Sequence, residues 1–200
     1  CRSPAPYESF VEERWGMERV SLLVVCTGNS SRSVMAGLML EHLAGRHGLG
    51  LSVKTAGTHA LEGLPIGART LAALRSVPEL AREDPCTLSA ADPAAHRSHQ
   101  LRADGVSAAN LVVVMESGHV RYVRRHHPAA AARTAQLRWL AANLAPGPER
   151  LETRVAALGL ECVELDPADD VSDPAGGGDA DYAACAADIW MLCRELAARL

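Results

Sequence analysis

Unbroken apolar runs alternate along this chain with stretches in which apolar residues recur every three or four positions. Val20 to Val25 is an apolar run interrupted only by Ser21, as expected for a central parallel strand buried on both faces. From Ser33 the period changes: Val34, Leu38, Met39, Leu43 and Ala44 recur at helical spacing up to Gly48, with Ser33 as the helix start. Leu51 to Thr55 reads as a second strand ended by Ala56-Gly57, and a helix from Gly67 to Ser76 is stopped by Pro78. Leu111 to Met115 is a third strand, Ser117 to His126 a helix closed by Pro128, Arg133 to Leu137 a short strand, and Asp179 to Leu200 the final helix. The pattern is weakest from Pro146 to Gly178, with a short helix over Glu149–Leu158 and Gly176-Gly177-Gly178 as a flexible linker. This alternation predicts an α/β fold: a doubly wound, four-stranded parallel sheet with helices on both faces. Ligands of such sheets bind at the carboxyl ends of the strands.

Composition narrows the classes of function. The 200 residues, 48% hydrophobic, suffice for a single core, read here as one domain over 19–200 preceded by a tail or short extra helix at 1–18. A net charge of −4 without a basic patch argues against nucleic acid or an anionic membrane as partner. The apolar runs are too short or too interrupted to cross a bilayer, and the charged Glu12-Glu13-Arg14 breaks any signal-peptide core, so a cytoplasmic protein is expected. Six scattered cysteines in a chain of this size read as reduced thiols. There is no zinc spacing, no nucleotide-binding glycine motif and no Gly-x-Ser-x-Gly elbow, so neither metal nor cofactor is expected. His96 and His99, like His126 and His127, read as solvated or helix-capping residues. Nothing in the sequence speaks to oligomeric state.

The chemistry concentrates in Cys26-Thr27-Gly28-Asn29-Ser30-Ser31-Arg32-Ser33, which joins the first strand to the first helix. A loop leaving a strand and entering a helix aims several backbone N–H groups at one spot, where the helix N-terminus adds partial positive charge. Oxyanions bind in such nests, and the same field favours the thiolate of a cysteine at the base. Arg32 adds a planar fork that matches two phosphate oxygens. Gly28 permits backbone conformations closed to other residues, Asn29 tolerates left-handed geometry, and Ser33 can donate to the thiolate. Cys193 and Arg199 have the same spacing but no glycine and no preceding strand, within an unbroken helical pattern.

This segment closely resembles the signature loop of the low-molecular-weight protein tyrosine phosphatases, Cys-x-Gly-Asn-x-Cys-Arg-Ser-Pro. Further echoes follow in order: Thr55-Ala-Gly-Thr-His59, His99-Gln-Leu101, Val112-Val-Val-Met-Glu-Ser-Gly-His119 and Asp170-Val-Ser-Asp173-Pro174, so the resemblance covers about residues 19–200. It implies a metal-independent phosphomonoesterase that works through a cysteinyl-phosphate. Cys26 would be the nucleophile, and Thr27, Gly28, Asn29, Ser30, Ser31, Arg32 and Ser33 the phosphate cradle. Asp173 would be the general acid, because it precedes Pro174 in the loop before the last helix, where the family carries that acid. Four Asp-Pro dipeptides occur, at Asp84, Asp92, Asp166 and Asp173; Asp170 is the second candidate and Asp166 the third.

The chain also departs from the family pattern. Ser31 replaces the second cysteine, which leaves an oxidised Cys26 without a disulfide partner in the loop. Val34 replaces a proline, Ser30 an apolar residue, and Ala175-Gly176 the aromatics that commonly follow Asp-Pro. The last two changes remove surface that would grip a phenyl ring. A phosphotyrosine protein is the first substrate class by resemblance, and a small phosphorylated metabolite is the alternative. An arsenate reductase, which needs further cysteines where Cys86 stands alone, and an inactive phosphate-binding module rank below both.

Overall fold

The computed structural model describes residues 19–81 and 93–200. The tail at 1–18 and the residues Asp84, Cys86 and Asp92 lie outside the described residues. Four strands, β1 (Val20–Cys26), β2 (Leu51–Gly57), β3 (Leu111–Val114) and β4 (Thr134–Gln136), form one sheet in the order β2-β1-β3-β4, every pairing parallel. The eight α-helices among the described residues are α1 (Arg32–His47), α2 (Ala68–Ser76), α3 (Pro78–Ala81), α4 (Ala103–Ala108), α5 (Ser117–His126), α6 (Leu137–Asn143), α7 (Leu151–Ala156) and α8 (Asp179–Ala197). The doubly wound, four-stranded sheet expected from the sequence is therefore present.

The alternating sides of β1 and β3 explain why their sequences are apolar throughout. Leu22, Val24 and Cys26 of β1, with Leu111 and Val113 of β3, face one core together with Met35 and Met39 of α1 and Ile189 and Cys193 of α8. Leu23 and Val25, with Val112 and Val114, face a second core beneath Val106 of α4 and Val120 and Val123 of α5. A strand buried on both faces shows no period of two, so its sequence is one continuous run. Strand order reverses between β1 and β3, and in an open α/β sheet the crevice at that reversal, beyond the carboxyl ends, is where ligands sit.

Most element boundaries fall where the periodicity put them, and the differences have local causes. Strand β2 continues through Ala56 and Gly57 because Gly57 pairs with Cys26 on one side and bridges Gln100 on the other. Pro78 starts a short helix, since a proline lacks the N–H that the first helical position leaves unused. Helices α4 and α6 have only 6 and 7 residues and give too few apolar repeats to stand out in the sequence. Gly176–Gly178 form a turn running into α8, where Gly178 N donates to Asp181 Oδ2 at 2.7 Å, and not a loose linker. No helix among the described residues is long and apolar enough to cross a membrane.

Candidate active site

The β1–α1 loop begins at Cys26, buried at the carboxyl end of β1, with its sulfur 3.0 Å from Ser33 Oγ. Asn29 has φ of 51°, and among the described residues no other non-glycine has a positive φ. That conformation is costly for most side chains and easiest for asparagine, so it has to be held. Three hydrogen bonds hold it: Asn29 Nδ2 donates to Ser33 Oγ at 3.0 Å, His99 N donates to Asn29 Oδ1 at 2.9 Å, and His96 Nε2 lies 2.9 Å from Asn29 O. A carbonyl only accepts, so His96 carries its proton on Nε2. Burial pushes the His96 pKa below its ordinary value, although the bond to Asn29 opposes this. His96 and His99 are thus braces of the loop, a role beyond the solvated or capping one expected from the sequence.

Backbone packing finishes the cradle. A Cβ at Gly57 would lie 2.5 Å from Thr27 O and 2.8 Å from Asn29 N, so only glycine lets β2 lie this close behind the loop. Opposite, Thr70 Oγ1 of α2 donates to Ser30 O at 3.0 Å. No side chain caps α1 and its first turn holds no acidic residue, which leaves its first N–H groups available to an external anion. Ser31 Oγ, at the N-cap, is buried without a partner.

Arg32 links this loop to two others. Its side chain is 2% exposed; Nη1 donates to Glu116 Oε2 at 2.7 Å and to Val171 O at 3.0 Å, while Nη2 donates to Asp173 Oδ2 at 2.5 Å. Asp173 is 42% exposed on its side chain, so it has access both to the guanidinium and to solvent. Its loop is fixed by Val171 N donating to Met115 O at 2.7 Å and by the Cys185 thiol donating to Ser172 O at 3.5 Å. Asp170 is occupied differently: it accepts from Ser117 N at 2.6 Å, capping α5, and from Gln136 Nε2 at 2.8 Å. Asp166 starts a short 3₁₀ turn by accepting from Ala168 N. Of the three aspartates weighed from the sequence, Asp173 is the one bonded to Arg32.

Glu116 and His119 are functional candidates that sequence reasoning did not single out. Glu116 follows the end of β3, and a carboxylate just past the carboxyl end of a central strand was the available signal. His119 Nε2 lies 3.0 Å from Thr27 Oγ1 and 3.6 Å from Glu116 Oε1, which connects the cradle to the Arg32 pair. Burial is the main cause that lowers the His119 pKa from 6.5 to about 4, against the opposing pull of Glu116. The ring is therefore neutral at pH 7, and its Nδ1 is buried without a partner. Cys193 sits inside α8, buried on the core side, and its thiol pKa is raised by desolvation, so its spacing to Arg199 builds no loop.

A thiol at the base of an amide nest, a buried guanidinium and an accessible carboxylate make a constellation able to bind a tetrahedral dianion and exchange a phosphoryl group. Comparison with known proteins agrees. The family model described as low molecular weight phosphotyrosine protein phosphatase matches residues 21–145. A protein-arginine-phosphatase of Geobacillus stearothermophilus is 34% identical over 117 residues, 58% of this chain and 68% of that protein. A probable low molecular weight protein-tyrosine-phosphatase of Ralstonia nicotianae is 34% identical over 109 residues, 54% of this chain and 64% of that one. The crystal structure of a low molecular weight protein tyrosine phosphatase from T. tengcongensis shares the fold, with a TM-score of 0.69 at 24% identity over 90% of this chain and 99% of that one. With the family model spanning more than half of its residues, and the cradle and switch-point geometry in place, this chain belongs to the low molecular weight phosphotyrosine protein phosphatase family.

Proposed function

We propose that this chain removes phosphoryl groups from phosphorylated protein side chains through a cysteinyl-phosphate at Cys26, without a metal. The observation that carries the reading is the convergence on one strand end of the Cys26 sulfur, 3.0 Å from Ser33 Oγ, and of the Arg32 fork bonded to Asp173. Ser33 donates to the thiolate and keeps it in place. An entering phosphate dianion takes the loop amides and competes with Asp173 for the outer end of the guanidinium, while Glu116 and Val171 O hold the inner end. Asp173, displaced from the guanidinium and 42% exposed on its side chain, takes a proton from solvent. Cys26 attacks phosphorus in line, the bond to the leaving group breaks, and the Asp173 carboxyl gives that group its proton. Asp173, then ionised, takes a proton from water, whose oxygen attacks phosphorus and releases phosphate and the thiolate.

Phosphotyrosine is the first substrate class, from the family itself. A second reading, phosphoarginine, is favoured by a specific pair of observations. One relative at 34% identity is a protein-arginine-phosphatase, and the exposed Ser30 with Ala175-Gly176 offers a polar, open wall that suits a guanidino group better than a phenyl ring. In that case Asp173 would protonate nitrogen in place of oxygen. Small phosphorylated metabolites use the same chemistry and form the third arm of the test.

Cys26→Ser should abolish hydrolysis of p-nitrophenyl phosphate while vanadate still binds; a variant that keeps near-normal turnover removes the nucleophile assignment. A parallel panel of phosphotyrosine peptide, phosphoarginine peptide and sugar phosphates ranks the substrates by kcat/KM. Preference for sugar phosphates over both peptides would refute a protein substrate.

A further inference from the structure

A cleft of about 670 Å³ lies beside β2, away from Cys26, on the face of the sheet that carries α4 and α5. It follows from the alternation of an edge strand. Thr55 faces α1, where a Cβ on Gly37 would meet its Cγ2 at 2.6 Å, so Lys54 and Ala56 face the opposite way. On that side α4 packs on β1, and Lys54 remains exposed. The outer wall is the 97–101 segment, in which Arg97 bridges Pro65 and Gln100 bridges Gly57. The volume is that of small-molecule sites, which run from about 300 to 1,000 Å³.

The lining has an apolar floor, Leu23, Ala56 and Leu101, beneath a charged rim. Glu62 on that rim is committed: it accepts from Arg102 Nη2 at 3.0 Å and Gln100 N at 3.1 Å, and lies 3.2 Å from His99 Nδ1. Asp104 acts electrostatically on Arg102. Lys54 and Arg97 have no carboxylate partner among the described residues, and Arg97 Nη1 donates only to the carbonyls of Ala94 and His96. Two cations without a carboxylate partner among the described residues, above an apolar floor, suit an organic dianion, its body on the floor and its charge against the cations. His96 and His99, which also line the cleft, supply two of the three hydrogen bonds that hold Asn29 at φ 51°.

We propose that this cleft is a second ligand site, which takes an organic phosphate of mononucleotide size against Lys54 and Arg97 and touches the catalytic loop through His96 and His99. Binding in this cleft is independent of which phosphoester the Cys26 loop cleaves.

The test uses the full chain with orthovanadate present to occupy the Cys26 loop, and titrates adenosine 5′-monophosphate by calorimetry and by amide NMR. The expected result is saturable binding that persists under vanadate, shifts the amides of Lys54, His99 and Gln100, and weakens about tenfold or more for uncharged adenosine. The doubly substituted Lys54→Ala/Arg97→Ala protein should lose about tenfold or more in affinity, with turnover of p-nitrophenyl phosphate in the absence of nucleotide unchanged. Binding abolished by vanadate, equal affinity for adenosine, wild-type affinity in the double variant, or no heat and no shifts at millimolar nucleotide would each overturn the proposal.

Discussion

Glu116 shows how one side chain decides whether a buried cation is useful. Arg32 is 2% exposed on its side chain, and a guanidinium so far from water keeps a fixed direction only while each of its edges has an acceptor. Replacing Glu116 by Gln retains a hydrogen-bond acceptor and removes the charge that holds the inner end of the fork. Misplacement of a catalytic group by about 1 Å can cost on the order of a hundredfold, so kcat for p-nitrophenyl phosphate should fall about tenfold to a hundredfold in Glu116→Gln. The far-ultraviolet spectrum should stay unchanged, and a kcat equal to wild type would show that Val171 O and Asp173 suffice. A second prediction concerns the sulfur. Ser31 occupies the family's second-cysteine position, and Cys185, behind the Asp173 loop, has its thiol pushed up to about 12 by burial, so it stays protonated and is a poor attacker of a sulfenic acid. Excess peroxide should therefore carry Cys26 on to the sulfinic acid, identified by mass spectrometry as two added oxygens, and dithiothreitol should not restore activity. Full recovery with a Cys26–Cys185 disulfide would show that α8 gives way.

At the scale of elements, the site is a meeting of strand ends, and the tolerance is set by backbone contacts. Gly57 closes β2 onto the loop so tightly that a methyl group would collide with Thr27 O and Asn29 N, both main-chain atoms that cannot rotate away. Gly57→Ala should lower stability by about 1–3 kcal/mol, as overpacking does, and reduce kcat/KM together with stability because the same shift deforms the cradle. Denaturant unfolding of the variant against wild type measures the first and turnover the second; an alanine variant of wild-type stability would mean that β2 slides outward freely. The same contact marks what the sequence could and could not reveal. Strands β1 and β3 were legible because burial on both faces leaves unbroken apolar runs, and the Cys26–Ser33 loop because its residue types are rarely assembled by chance. The contacts of Glu116, His96 and His119 were not legible, since they come from parallel crossovers that bring positions 84, 67 and 92 residues distant onto Arg32, Asn29 and Thr27. Nor could the sequence show on physical grounds that Asp170 and Asp173 are engaged differently; that depends on Ser117 N and Gln136 claiming one carboxylate while Arg32 claims the other.

For the molecule as a whole, the buried histidines set how stability responds to acid. Burial lowers the pKa of His96, His119 and His127 alike, His119 to about 4 from 6.5. Between those two values the unfolded chain binds more protons than the native one, so stability rises with pH through this window and is lost as pH falls from about 6.5 toward 4. His119 is the most buried of the three, and a shift of this size corresponds to about 3 kcal/mol by linkage. Asp169 works in the opposite sense, its pKa raised by burial and by Asp166. Urea unfolding at neutral pH and near pH 4.5 should thus show a marked loss of stability, with proton uptake on unfolding at the acid end. His119→Asn keeps a donor for Thr27 Oγ1 without a titrating ring and should flatten the slope between these pH values, even if it lowers the plateau. Because His119 also touches the Thr27 end of the cradle, phosphate release should weaken over the same acid range. An unaltered slope in His119→Asn would show that His119 is not the group that sets the acid sensitivity.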